Sequence, residues 1–178
     1  MKQGFIKVAA ATPDIRVADT AFNTEEIIKK MKEAAGNGAK IIVFPELCIT
    51  GYTCSDLFTQ DILLEQAKAG LCRIAEETKE LESVVFVGCP LVVDGELYNT
   101  AAALNKGKIL GFTTKTFLPN YGEFYEMRQF TPGPEEVRMI RFAGEEIPFG
   151  PQILFESMET EGLILSAEIC EDVWSPVP

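Results

Sequence analysis

Histidine is absent from the 178 residues. Without it, serine-histidine-aspartate and cysteine-histidine catalysis are impossible from this chain's own side chains, and the usual zinc ligand sets are weakened. The C-x-x-C spacing is absent too. Five cysteines (Cys48, Cys54, Cys72, Cys89 and Cys170) form an odd set without that pair, which reads as reduced thiols and not as a disulfide framework or a zinc cage. Positive charge is scarce: 16 lysines and arginines stand against 27 acids, for a net charge of -11. That balance disfavours nucleic acid or an anionic membrane as partner. No apolar run approaches the length of a membrane span, and the opening Met1-Lys2-Gln3-Gly4-Phe5 lacks the apolar core and cleavage site of a signal peptide. The expected location is cytoplasmic, with small molecules and proteins as the remaining partners. Repeats, low-complexity tracts and dividing linkers are missing. Gly36-Asn37-Gly38 follows a helical pattern and lacks a lysine-serine/threonine ending, so it reads as a turn and not as a phosphate loop.

What is present is enough apolar sequence, 47% of residues, to bury one sizeable core in one domain. Phe5 to Ala11 reads as a strand ended by Thr12-Pro13. Asn23, three residues before Glu26, predicts the cap of an amphipathic helix carrying Ile27, Ile28 and Met31, closed at Gly36. Ile41 to Phe44 is a second strand, broken by Pro45. A second helical stripe starts at Ser55 and runs through Leu57, Phe58, Ile62, Leu63, Ala67, Leu71 and Ile74. Val84 to Gly88 is a third strand. Asp94-Gly95, Asn105-Lys106-Gly107 and Ala143-Gly144 each predict a hairpin turn. Ile153-Leu154-Phe155 and Ile164 to Cys170 are further strands. Strand, helix, strand followed by hairpins predicts a layered α/β domain.

Three residues stand where chemistry is usually placed, at a strand end beside a loop. Glu46 follows the second strand and Pro45; a carboxylate partly shielded from water there suits a general base. Lys115 ends the strand after Lys106-Gly107, where an ammonium can stabilise an oxyanion or lower the pKa of a thiol. Cys170 ends the run Ile164-Leu165-Ser166-Ala167-Glu168-Ile169, which reads as a buried strand delivering a candidate nucleophile. Each has an ordinary reading as well: Cys170 as a small core residue, Glu46 and Lys115 as solvated charges.

Together they resemble a known combination. The blocks PELCITGY around Glu46, KTFLPNYGEFYE from Lys115 and AEICEDVW around Cys170 resemble the three signature blocks of the nitrilase, or carbon-nitrogen hydrolase, superfamily, in the same order and with gaps of 69 and 55 residues. GYTCSDLF, LPNYGEFYEMRQF and CEDVW further resemble the amino-terminal glutaminase domains of the glutamine-dependent NAD synthetases, over almost the whole chain. The resemblance implies a four-layer αββα sandwich that releases ammonia from glutamine for a carboxy-terminal synthetase domain. That partner domain uses ATP and magnesium to convert deamido-NAD to NAD, and family members form homo-oligomers. No metal or cofactor is implied for the glutaminase segment itself.

By the same resemblance Cys170 is the nucleophile, Glu46 its base and Lys115 the stabiliser of the tetrahedral oxyanion, helped by the backbone N–H of Glu171. Tyr52 and Tyr121 would line the glutamine pocket. Glu126, or else Glu123, would orient Lys115 and Glu46. Two alternatives stand beside this reading: a stand-alone nitrilase-type amidase for another amide, and a non-catalytic fragment that retains the fold. Eight residues follow Cys170, fewer than the family's glutaminase domain carries. The expectation is therefore an amino-terminal portion, residues 1–178, whose sandwich lacks its carboxy-terminal part and which has little activity alone.

Overall fold

The structure, a computed structural model, describes residues 4–175. Met1 to Gln3, read above for signal-peptide character, lie outside the described residues, as do 176–178. A seven-stranded sheet organises the chain, in the order β1-β2-β3-β4-β5-β7-β6. Strands β1 (Val8–Ala10), β2 (Ile41–Val43) and β3 (Val84–Val93) run parallel, and α1 (Thr20–Gly36) and α2 (Asp61–Glu77) connect them. Strands β4 (Glu96–Asn105) and β5 (Lys108–Thr114) continue as antiparallel neighbours, and β7 (Glu145–Gly150) joins β5 in parallel with β6 (Arg138–Phe142) outside it. All three predicted turns form with a left-handed pair at Asp94-Gly95, Lys106-Gly107 and Ala143-Gly144, the backbone that matches strand twist in a tight hairpin.

Both helices cover one face of the sheet. Ile27 and Met31 of α1 and Leu71 and Ile74 of α2 pack against Ile42, Val85, Val87, Ala102, Leu104, Phe112 and Phe149. Each of these large side chains is essentially removed from water, worth about 1.5–3 kcal/mol apiece before entropy is counted. Pro90 is tolerated inside the long strand β3 because of its direction. Phe44 N and Ile49 N donate to Phe86 O and Gly88 O, so the even-numbered positions of β3 face β2, which has already ended when the chain reaches Pro90.

Several local expectations are corrected. The first strand is confined to Val8–Ala10, with Phe5 exposed. Asn23 is not the cap of α1: Asp19 is, accepting from Phe22 N at 3.0 Å. Asn23 lies inside the helix, buried, where its amide bonds Arg16 N, Arg16 O and Ile49 O; a side chain occupied by distant backbone cannot also cap its own helix. The stripe expected from Ser55 is two pieces, an irregular 3-10 stretch Tyr52–Thr59 and then α2, because Ser55 takes a positive φ and Gln60 is extended. Ile153 and Leu154 precede a strand of only two residues, β8 (Phe155–Glu156).

The largest correction concerns the segment leading to Cys170. Only Ile164–Leu165 is a strand, β9, paired antiparallel with β8. The rest of Ile164 to Cys170 runs along the sheet face opposite the helices, where Leu165, Ala167 and Ile169 line one cavity with Ile41, Val43, Phe86 and Ala101. One side of the segment is covered and the other is open, so Ile164 is half-exposed. An apolar run longer than a buried strand needs is here an extended segment lying on a sheet.

Candidate active site

Two strand ends and two short 3-10 turns supply the site, on the sheet face away from the helices. Glu46 sits in the turn after β2, pressed onto β3 at Gly88. A Cβ at position 88 would come within 2.4 Å of Leu47 N and 2.5 Å of Pro45 O, so only glycine lets this turn lie so close. Lys115 follows β5 directly and its N–H donates to Asn99 O across the ladder at 2.9 Å. The loop it begins returns through Gly133, whose N–H donates to Lys115 O at 2.8 Å. Within that loop a single 3-10 turn, Glu126–Arg128, points Glu126 inward.

These placements build a buried charge cluster. Lys115 Nζ donates to Glu46 Oε1 at 2.8 Å and to Glu126 Oε1 at 2.7 Å. The lysine side chain is 0% exposed, that of Glu126 5% and that of Glu46 17%. Tyr52 OH donates to Glu126 Oε1 at 2.6 Å, and Asn99 Nδ2 donates to Glu46 Oε1 at 2.6 Å. Burial alone would lower the Lys115 pKa, but its hydrogen bonds to the two carboxylates outweigh that and hold it above the ordinary lysine value. The lysine is a fixed cation. Burial, reinforced by Glu126, pushes the Tyr52 phenol well above its usual value, so it remains a donor.

Cys170 meets this cluster from the other side. It opens a 3-10 turn, Cys170–Trp174, with a positive φ of 50°, a conformation that a side chain bearing a Cβ adopts at a cost and that recurs where a nucleophile is presented on a tight turn. It lines one cavity together with Glu46, and its charged surroundings include Glu46, Lys115 and Glu126. Burial first, and then Glu46, raise its pKa, while Lys115 pulls it down. The resting group is a thiol that needs a base. Among the cysteines, Cys48, Cys54 and Cys89 are buried and Cys72 half-buried, whereas Cys170 is exposed; burial pushes Cys48 and Cys89 up to about 12, which makes them inert.

Of the residues singled out in the sequence, the structure brings Glu46, Lys115, Glu126, Tyr52 and Cys170 together. Glu126, and not Glu123, contacts Lys115; Glu123 is exposed in the same loop. Tyr121 is exposed at the rim, donating to the Glu171 carboxylate at 2.9 and 3.1 Å. Two residues were missed. Asn99, 1% exposed, grips Glu46. Asp172, 3% exposed, accepts from Thr116 N at 3.1 Å and Phe117 N at 2.8 Å, tying the nucleophile turn to the loop that begins at Lys115. Asp172 lies in the CEDVW block, and two acids following a buried-looking run are a usable signal; Asn99 carries none beyond being polar in an apolar strand. Among the described residues no group of three or more His, Cys, Asp or Glu is placed to hold a metal ion.

An ammonium fixed between two carboxylates, with a thiol facing one of them, suits attack on a carbonyl carbon with the proton moved by a carboxylate. Beside it, a cavity of about 310 Å3 is lined by Phe44, Phe86, Ala101, Ile169, Glu46 and Cys170. The family model for carbon-nitrogen hydrolases matches residues 7–177. The chain belongs to the carbon-nitrogen hydrolase family. Its similar relatives include the glutamine-dependent NAD(+) synthetases of Mycobacterium leprae, 38% identical over 99% of this chain and 26% of that protein, and of Aquifex aeolicus, 33% identical over 96% and 26%. The chain thus spans about a quarter of the length of these family members. In solved structures it resembles the glutamine-dependent NAD(+) synthetase of Cytophaga hutchinsonii, with a TM-score of 0.86 and 32% identity over 94% of this chain and 28% of that one. An amidase from Nesterenkonia sp. shares the carbon-nitrogen hydrolase fold at a TM-score of 0.61 and 22% identity, over 83% of this chain and 56% of that one. The fold is therefore the nitrilase-type α/β arrangement, here a helix layer on a seven-stranded sheet with the β8-β9 pair over its other face.

Proposed function

We propose that this chain carries the glutaminase centre of a glutamine-dependent NAD synthetase: it releases ammonia from glutamine for a synthetase region that converts deamido-NAD to NAD with ATP and magnesium. One arrangement carries the reading, the buried Lys115 held between Glu46 and Glu126 with the Cys170 thiol facing the same Glu46, in a chain matched over nearly its whole length by synthetases of that kind.

In the reaction, Glu46 takes the thiol proton as Cys170 Sγ bonds to the side-chain amide carbon of glutamine. The carbonyl electron pair moves onto oxygen, where Lys115 and the backbone N–H of Glu171 stabilise it. Collapse breaks the C–N bond, and Glu46 returns its proton to the nitrogen, which leaves as ammonia. Glu46 then activates a water that hydrolyses the thioester and frees glutamate and the thiol. Tyr52 and Glu126 keep Lys115 charged and still, and Tyr121 lies at the rim where the substrate's amino-acid end would enter.

The test uses a protein carrying this chain together with its synthetase region. Cys170→Ala is expected to cut glutamine-driven NAD synthesis by roughly 10³-fold or more while synthesis from free ammonia stays at the wild-type rate. Unchanged glutamine-driven synthesis would remove Cys170 from the mechanism. Hydrolysis of other amides with no glutamine-driven synthesis would instead favour the stand-alone amidase.

A further inference from the structure

The Glu46 carboxylate receives both of its recorded donors on one oxygen. Lys115 Nζ and Asn99 Nδ2 converge on Oε1, at 2.8 and 2.6 Å. A carboxylate held this way cannot spin freely, and Oε2 is the oxygen left to face the thiol. Asn99 also accepts the Lys115 backbone N–H with its own carbonyl, so one residue fixes the lysine main chain and the glutamate side chain at once. Strand β4 makes this possible: Tyr98 and Thr100 face the helices, reaching Phe149 and Cys89, while Asn99 between them faces the site.

The side-chain amide of Asn99 points its donor end at the site. Its Oδ1 is buried and has no hydrogen-bond partner among the described residues. Turning the amide round would aim an acceptor at Glu46 and is excluded by the 2.6 Å contact. Among the described residues the side-chain amide thus has one partner, the carboxylate that moves the proton.

We propose that Asn99 is a positioning residue that holds Glu46 by Oε1 and thereby assigns Oε2 to proton transfer with Cys170 and the departing nitrogen. The assignment rests on the proposed role of Glu46 and Cys170, but it concerns proton transfer from the thiol and needs no particular amide.

Two variants test it in the full-length protein. Asn99→Leu removes the donor at about the size of the amide, and Asn99→Val removes it with a smaller side chain suited to a strand. Partners that orient a working side chain are typically worth roughly 10- to 100-fold in activity, and both variants are expected to lose that much kcat for glutamine hydrolysis, with KM within about twofold and ammonia-driven synthesis unchanged. Alkylation of Cys170 by iodoacetamide, followed by mass spectrometry, is expected to slow by a similar factor in both. Wild-type alkylation and kcat in either variant would overturn the proposal. So would parallel loss of ammonia-driven synthesis, which would mark Asn99 as a residue of the fold. Because alkylation requires no substrate, a wild-type protein that fails to hydrolyse glutamine would refute the proposed function while leaving the Asn99 comparison readable.

Discussion

The two halves of the site are held very differently. Glu46 and Lys115 directly follow strands of the seven-stranded sheet, Glu126 on its 3-10 turn is bonded to Lys115, and the three are buried among one another, with Tyr52 and Asn99 each adding a hydrogen bond. Cys170 stands on a five-residue 3-10 turn after a half-exposed segment, next to Val173 and Trp174, which are 56% and 79% exposed. The proton-handling half is set rigidly by the sheet. Among the described residues, the nucleophile turn is tied to the loop after Lys115 by the two backbone hydrogen bonds into Asp172 and by Tyr121 on Glu171. A buried charge cluster and a nucleophile carried on a short turn thus meet in one centre, and substitutions on the two sides should differ in kind.

The largest effect belongs to the rigid side. Lys115→Met leaves two carboxylates facing each other without their cation. Removing one member of a buried ion pair typically costs about 3–5 kcal/mol, and losing an oxyanion donor costs roughly 10²–10³-fold in kcat. Denaturant unfolding and a glutaminase assay on the same preparation should show both losses together. Retention of stability with loss of activity alone would mean that the cluster is less closed to water than its burial indicates.

Next comes the clamp on the nucleophile side. Asp172→Ala strands the Thr116 and Phe117 amides, for about 1–3 kcal/mol, and should lower activity through misplacement of Cys170, with faster hydrogen exchange at those two amides. The pH dependence has a definite sign. Desolvation holds the Asp172 pKa above its ordinary carboxylate value, against the pull of the Phe117 and Thr116 amides. The folded state therefore binds a proton more readily than the unfolded chain, and this group's contribution grows as pH falls from above the folded value to below the ordinary one. Asp172→Asn should lack that increment, so the stability gap between wild type and variant should shift in favour of wild type on acidification. Parallel pH curves would show that Asp172 is solvated.

How much of this was legible in the sequence follows the same division. The rigid half could be read because short apolar strands ending at Pro45-Glu46 and Thr114-Lys115 leave little choice about where the charges emerge, and the three hairpin turns fix the register between them. Asn99 was not readable, since a polar residue in a strand looks the same whether it faces water or a buried carboxylate; the face is decided only once β4 pairs with β3 and β5. The nucleophile half was readable in identity and not in form. Ile164 to Ile169 has the apolar content of a buried strand, but burial on both sides is a tertiary fact, and here one side is open. Asn23 misled for the opposite reason, because its hydrogen bonds run to Arg16 and Ile49 and only the packed loop could reveal them.

The smallest effects compare two tyrosines that the sequence treats alike. Tyr52 donates to buried Glu126, whereas Tyr121 donates to Glu171 from an exposed position. Tyr52→Phe withdraws a donor from Oε1 of a buried carboxylate whose Oε2 has no partner among the described residues. Hydrogen bonds to charged groups are worth about 1.5–3 kcal/mol, so stability should fall by that order, and kcat should fall with it because Lys115 loses its anchored partner. Tyr121→Phe removes a bond that water replaces on both sides, so the unfolding midpoint should not move. Any effect there should appear in KM for glutamine alone, as expected for a residue at the mouth of the site. If Tyr121→Phe instead lowers kcat at unchanged KM, the nucleophile side is held from its rim as well as by Asp172, and the contrast between a sheet-held half and a turn-held half would have to be drawn inside the Cys170 turn itself.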